Sequence, residues 1–115
     1  ARQQPVVEHQ QLADGIAEAA LLLVYERRVR PEGQWNQTWI DSQQGKIDRA
    51  LLHLESDPPG LAAPPTIGEI GIACGLGYLD LRFAGRWRST HPRLAAWLDR
   101  FAAAVPAYAQ TAATP

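Results

Sequence analysis

The sequence predicts an all-α fold, four main helices with short or proline-rich joints and one further short turn at the C-terminus. Three observations carry that expectation. Apolar residues recur at helical spacing in four separate segments of the 115-residue chain. The prolines gather at the joints between those segments, at Pro31, Pro58 to Pro65, Pro92 and Pro106. Thr66 followed by Glu69 spells a capping box in front of the most apolar segment. Strand signals are absent, so no sheet is expected.

The first helix is expected from about Gln4 to Arg30, with Pro5 tolerated in its first turn and Pro31 ending it. Leu12, Ile16, Ala19 and Leu23 form one apolar stripe, while Asp14, Glu18, Leu21, Leu22 and Tyr25 form a second face that mixes carboxylates, aliphatics and a phenol. Two faces imply two jobs. One packs on the core and the other meets a cleft, a partner chain, or both. Arg27, Arg28 and Arg30 crowd the last turn, where cations complement the helix dipole, a simpler account than a basic binding patch.

The second helix starts at Trp35 or Asn36 and runs to Glu55, with Ile40, Ile47, Leu51 and Leu54 as its buried stripe. Trp35 and Trp39 stand one turn apart at its start and are expected to cover the edge of the core. Gly45 suggests a bend or a close crossing. Ser56 to Pro65 then holds four of the nine prolines and reads as a surface loop. It is not a domain linker, because neither flanking half has enough residues for a core of its own.

The third helix lies within Pro64 to Phe83 and is expected to be central. Thr66 caps it and Glu69 reaches back to close the box. Ile67, Ile70, Ala73, Cys74, Gly77 and Leu81 keep helical spacing, and Ile72 and Leu76 on the other side are apolar too, which predicts a buried helix. Cys74 is accordingly expected to be a small core side chain. Gly68, Gly71 and Gly75 share one side, and each costs about 1 kcal/mol relative to Ala inside a helix. Close approach of a neighbouring backbone is the expected compensation. A phosphate-binding glycine loop is the rival, but Gly75 and Gly77 are followed by Asp80 rather than a third glycine, and no strand precedes them.

Arg82, Arg86 and Arg88 then alternate with Phe83 and Trp87. Such interleaving can bind single-stranded nucleic acid. In a nearly neutral chain, a packed connection is the better reading. The last main helix begins at His91-Pro92, with proline at its first position, and carries Leu94, Trp97, Leu98 and Phe101 on one stripe to about Ala104. Pro106 ends it, Tyr108 anchors one more turn, and Thr111 to Pro115 reads as a frayed tail.

The totals exclude several function classes. Eleven Lys and Arg against twelve Asp and Glu give no field for nucleic acid or anionic lipid. The longest aliphatic run, Ala19 to Val24, is six residues, too short for a bilayer. A single cysteine allows no disulfide within the chain and points to a reducing compartment, and no secretory signal is expected. Catalytic chemistry is equally sparse. His9, His53 and His91 are scattered without a second ligand at helical spacing, so no metal site is expected. Ser42, Ser56 and Ser89 lie on no nucleophile elbow, Cys74 has no histidine nearby in sequence, and Asp14 with Glu18 reads as a solvated pair.

Taken in order, ADGIAEAALLLVYERRVRP, WIDSQQGKIDRALLHLE, PTIGEIGIACGLGYLDLRF and HPRLAAWLDRFAA resemble the successive helices of the C-terminal domain of bacterial glutathione transferases. The resemblance runs from about Gln11 to Pro106. The chain departs from the family in carrying Glu69 where Asp closes the box and Gly68 where Ala is common. Glu closes the same box with one more methylene.

The resemblance implies that residues 1–115 are a single helical domain, and that glutathione, the co-substrate, sits mainly on an N-terminal thioredoxin-like domain absent from this chain. That domain would also supply the Ser, Tyr or Cys that activates the thiol. This half would hold a hydrophobic electrophilic small molecule in the acceptor site, and would form a homodimer through its first two helices. By position, Glu18, Leu22 and Tyr25 would face the acceptor cleft, with Trp87 a further pocket candidate; none would be catalytic. The implied chemistry is thiolate addition or disulfide exchange in a cytoplasmic, detoxifying enzyme, with no turnover by this chain alone. A second reading is a non-catalytic scaffold, since the same helical domain resembles assembly modules of translation factors and synthetase complexes.

Overall fold

In a computed structural model the described residues, 3–110, form six α-helices: α1 Gln3–Val29, α2 Gln37–Ser56, α3 Ile67–Phe83, α4 Trp87–Thr90, α5 Pro92–Ala104 and α6 Pro106–Gln110. A short 3-10 turn, Glu32–Gln34, joins α1 to α2, and no strand forms among the described residues. The four main helices begin and end within two residues of their expected limits. The arginine-aromatic connection holds one extra helical turn, α4, and the turn at Tyr108 is α6. The expected tail, Thr111 to Pro115, lies outside the described residues.

Local chemistry sets the helix ends. Asn36 Oδ1 accepts the Trp39 amide at 3.0 Å and starts α2. The capping box of α3 is complete, with the Glu69 amide donating to Thr66 Oγ1 at 3.1 Å and the Thr66 amide donating to Glu69 Oε1 at 3.0 Å. The extra methylene of Glu69 carries its carboxylate far enough to accept the Ala62 amide as well, at 3.3 Å. One side chain thus caps a helix and ties down the proline-rich loop before it. At the other end of α3, Ala84 and Gly85 both take left-handed φ, 57° and 65°, and turn the chain into α4.

The start of α5 is capped across the fold. His91 makes no side-chain cap there. Glu55, near the end of α2, accepts the Arg93 and Leu94 amides at 3.0 and 2.8 Å.

α1 lies along the glycine side of α3. A Cβ on Gly71 would stand 3.1 Å from the Ala13 Cβ, and one on Gly75 would stand 3.6 Å from Ile16 Cγ2. The missing methyl groups let the two helices approach, as the spacing predicts. Gly45 serves no crossing: among the described residues only the Arg49 side chain approaches it, and α2 runs through it unbroken. The stripe of α2 is buried throughout, and Trp35 and Trp39 pack half-buried against the core. Trp97 and Phe101 of α5 stack at 5.4 Å, and Tyr108 of α6 meets Phe101 edge-on.

One expectation is corrected. Cys74 is exposed, and so are Ile67 and Ile70 on the same side of α3. At 3.6 residues per turn these three fall within about 60° of arc. A helix apolar nearly all round has no periodic signal to say which side is open. The glycines decide it, because α1 occupies their side, while Ile72, Leu76 and Leu79 are buried beside them. What is left over is an apolar stripe in contact with water.

Candidate functional site

Two hollows bring together the side chains that the sequence singles out. The first, about 400 Å³, opens between the end of α1 and the start of α2. Leu22 and Tyr25 both line it, Leu22 half-buried and Tyr25 57% exposed. Trp39 forms the opposite wall from α2. Glu18 stands one turn before Leu22 on α1, exposed and outside the lining.

The sequence reading misses the most unusual residue of this hollow. Glu26 lines it with a side chain only 7% exposed, and its Oε1 lies 3.1 Å from Arg30 Nε. The charges pair, yet the geometry makes no hydrogen bond to that oxygen. A buried carboxylate needs such pairing, because desolvation of an isolated charge is costly. The i, i+4 spacing of Glu26 and Arg30 was the available signal. The backbone carbonyl of Arg30 in turn accepts the Trp35 indole N–H at 2.9 Å, which fixes the connection beside the hollow.

Trp87 lies elsewhere. It lines a second hollow of about 370 Å³, which shares no lining residue with the first. Its indole N–H donates to Asp80 Oδ1 at 2.9 Å, and the Arg88 guanidinium sits 5.2 Å from the ring centroid. Arg88 also donates to both Asp80 oxygens, at 3.1 and 2.8 Å, and reaches Asp99 at 3.2 Å. The hydrogen bonds it donates to Asp80 hold the Arg88 pKa above its usual value, against the lowering effect of burial. Thus Asp80 of α3 pins α4 and its tryptophan in place.

No described group of three or more His, Cys, Asp or Glu side chains is placed to hold a metal ion. A hydroxyl and an imidazole do meet at Thr90 Oγ1 and His91 Nδ1, 2.9 Å apart. The same nitrogen lies 2.9 Å from the Trp87 carbonyl, which can only accept, so that nitrogen carries the proton and is no base toward Thr90. His53 pairs with Glu8 at 2.7 Å, an exposed bridge between α2 and α1. These contacts hold side chains and helices in place, and none of them pairs a nucleophile with a base. No helix among the described residues is long and apolar enough to cross a membrane.

Comparison with known proteins gives the same direction. No curated protein matches the chain. A crystal structure of a glutathione transferase family member from Pseudomonas fluorescens Pf-5 with bound glutathione is 36% identical, with a TM-score of 0.88, over 100% of this chain and 56% of that one. A glutathione S-transferase from Methylobacterium radiotolerans JCM 2831, in complex with glutathione sulfonate, is 30% identical at a TM-score of 0.82, over 96% of this chain and 53% of that one. A third, from Methylobacillus flagellatus KT with glutathione bound, is 31% identical at 0.75, over 84% and 50%. The chain therefore spans little more than half the length of these solved relatives. Residues 37–100 match the family described as glutathione S-transferase, C-terminal domain, and the chain belongs to that family.

Proposed function

We propose that this chain is the acceptor-binding half of a glutathione transferase. One observation carries the reading: a relative that binds glutathione aligns with all of this chain over only 56% of its own length. The remainder of the parent protein would be the thioredoxin-like domain that holds glutathione and activates its thiol. The open apolar stripe of α3, Ile67, Ile70 and Cys74, supports this, because a covering domain removes that surface from water.

In this reading the hollow beside Leu22 and Tyr25 receives a hydrophobic electrophile, and Glu18 faces the cleft one turn away. The thiolate arrives from the other domain and adds to the electrophile, and the leaving group departs with the electron pair of its broken bond. The helical half contributes position and a dry wall, which is where orientation lowers the barrier. We read the parent as a cytoplasmic homodimer formed through α1 and α2, with a detoxifying role. The single cysteine fits a reducing compartment.

The test compares this chain with the full-length protein encoded by its gene, assayed with glutathione and 1-chloro-2,4-dinitrobenzene. Turnover by the parent and none by the chain is the expected result. Turnover by the chain alone, or a parent that binds no glutathione, contradicts the proposal; the second outcome would favour the scaffold reading.

A further inference from the structure

We propose that Glu26 sets the substrate class of the hollow beside Leu22 and Tyr25, selecting aromatic electrophiles that carry a hydrogen-bond donor, an N–H or a hydroxyl, on the ring. The inference rests on the reading of this hollow as the acceptor site and names what that site prefers.

An exposed glutamate would carry no such meaning. Glu26 differs because its side chain is only 7% exposed and yet lines a hollow of about 400 Å³, a size within the roughly 300–1,000 Å³ range of small-molecule pockets. Its Oε1 is shut off from water and receives no hydrogen bond among the described residues. Arg30 Nε stands 3.1 Å away and balances the charge, in a geometry that makes no hydrogen bond. Leaving a buried acceptor without a donor is costly, and a molecule that brings the donor recovers that cost on binding.

Two neighbouring acceptors are already taken. Asn36 Oδ1 accepts the Trp39 amide at 3.0 Å, and the Arg30 carbonyl accepts the Trp35 indole N–H at 2.9 Å. A carboxylate paired with a guanidinium can only accept, and its two oxygens offer about four positions, so a donor from the hollow binds without displacing Arg30.

The walls choose the rest of the molecule. Leu22 and Val29 are aliphatic, while Tyr25 and Trp39 bring rings from α1 and α2. An aromatic ring gains from all four, and a donor on that ring meets the carboxylate. Such a bond is charge-assisted and stronger than one between neutral groups. A site built around it rejects an analogue that lacks the donor.

The experiment titrates the 15N-labelled chain with indole and with 1-methylindole, followed by 1H–15N NMR. The methyl group removes the donor and adds apolar surface, so hydrophobicity alone favours 1-methylindole. Saturable shifts of the Tyr25, Glu26 and Trp39 amides are expected with indole, and binding of 1-methylindole there should be about tenfold weaker. Glu26→Gln keeps the shape and replaces a charged acceptor by a neutral one, and should cut that preference to about threefold or less. A preference that persists in full in Glu26→Gln would mean that shape alone excludes the methyl group, and would overturn the proposal. Equal affinities for the two indoles in the native chain, a comparison that needs no variant, would overturn it too, as would the absence of saturable shifts at these amides. The transferase reading is decided apart from these outcomes, by glutathione binding and turnover in the full-length protein.

Discussion

The Cβ of His9 on α1 lies 2.6 Å from the point where a Cβ on Gly68 of α3 would stand, and the Val6 carbonyl oxygen lies 2.8 Å from it. Two carbons cannot approach so closely. The crossing of α1 over the first turn of α3 therefore depends on a hydrogen atom at position 68.

Gly68→Ala and Gly15→Ala should act in opposite directions. Alanine improves helix propensity by about 1 kcal/mol at either position. At Gly15 nothing lies within 4 Å of the new methyl, so the gain is kept. At Gly68 the obstacle includes backbone, which cannot rotate away, and overpacking of this kind costs about 1–3 kcal/mol. Urea denaturation should show a stabilised Gly15 variant and a destabilised Gly68 variant; equal shifts would refute the close crossing.

Removing the distant cap of α5 should loosen one helix end. Glu55→Ala leaves the Arg93 and Leu94 amides without their acceptor, and loss of a cap costs about 0.5–2 kcal/mol. Amide exchange at Leu94 should accelerate, whereas exchange in the middle of α3 should follow only the global change in stability. Unchanged protection at Leu94 would show that the contact carries no weight.

Tyr108 predicts an alkaline limit. Its hydroxyl donates to the Ala73 carbonyl at 2.9 Å, and burial, reinforced by Asp80 and Cys74, pushes its pKa above the ordinary 10.0. The folded chain thus favours the neutral phenol. The stability this supplies is fully present below pH 10, where unfolded Tyr108 also keeps its proton, and it is lost as pH rises from 10 through the higher folded value. The stability advantage of the native chain over Tyr108→Phe should therefore be about 1 kcal/mol near neutrality and shrink above pH 10. A difference independent of pH in thermal melts would contradict this.

Cys74 offers a probe of the proposed covering domain. In this chain the thiol is exposed and should react with 5,5′-dithiobis(2-nitrobenzoate) at close to the rate of the unfolded chain. In the full-length parent it should be protected at least about tenfold, a population shift of about 1.4 kcal/mol toward the closed arrangement. Equal rates in the two proteins would leave the stripe of α3 without its proposed cover.

Local signals made much of this fold legible. Thr66 and Glu69 speak to each other over three residues, and the spacing of Ile40, Ile47, Leu51 and Leu54 marks a face that is buried along its whole length. The spacing of the α3 glycines implies a close neighbour, and α1 is that neighbour. What stayed hidden depends on residues far apart in sequence. Glu55 caps a helix that begins almost forty residues later, and α4 owes its place to Asp80, whose carboxylate holds Trp87 and Arg88. The open side of α3 was illegible because its composition is apolar on every side. Of the site residues, Leu22 and Tyr25 meet in one hollow, Glu18 stands beside it, and Trp87 belongs to another, a division that helix spacing alone does not contain.

The most direct test of the acceptor-binding role is a steady-state measurement on the full-length parent carrying Leu22→Ala and Tyr25→Ala. Losing two apolar contacts to the electrophile should lower kcat/KM for that substrate by about tenfold or more, while the KM for glutathione stays within about twofold, because uniform loss of one substrate's binding leaves the other's untouched. An unchanged kcat/KM for the electrophile, or a glutathione KM that rises in step with it, would contradict the assignment of this hollow as the acceptor site.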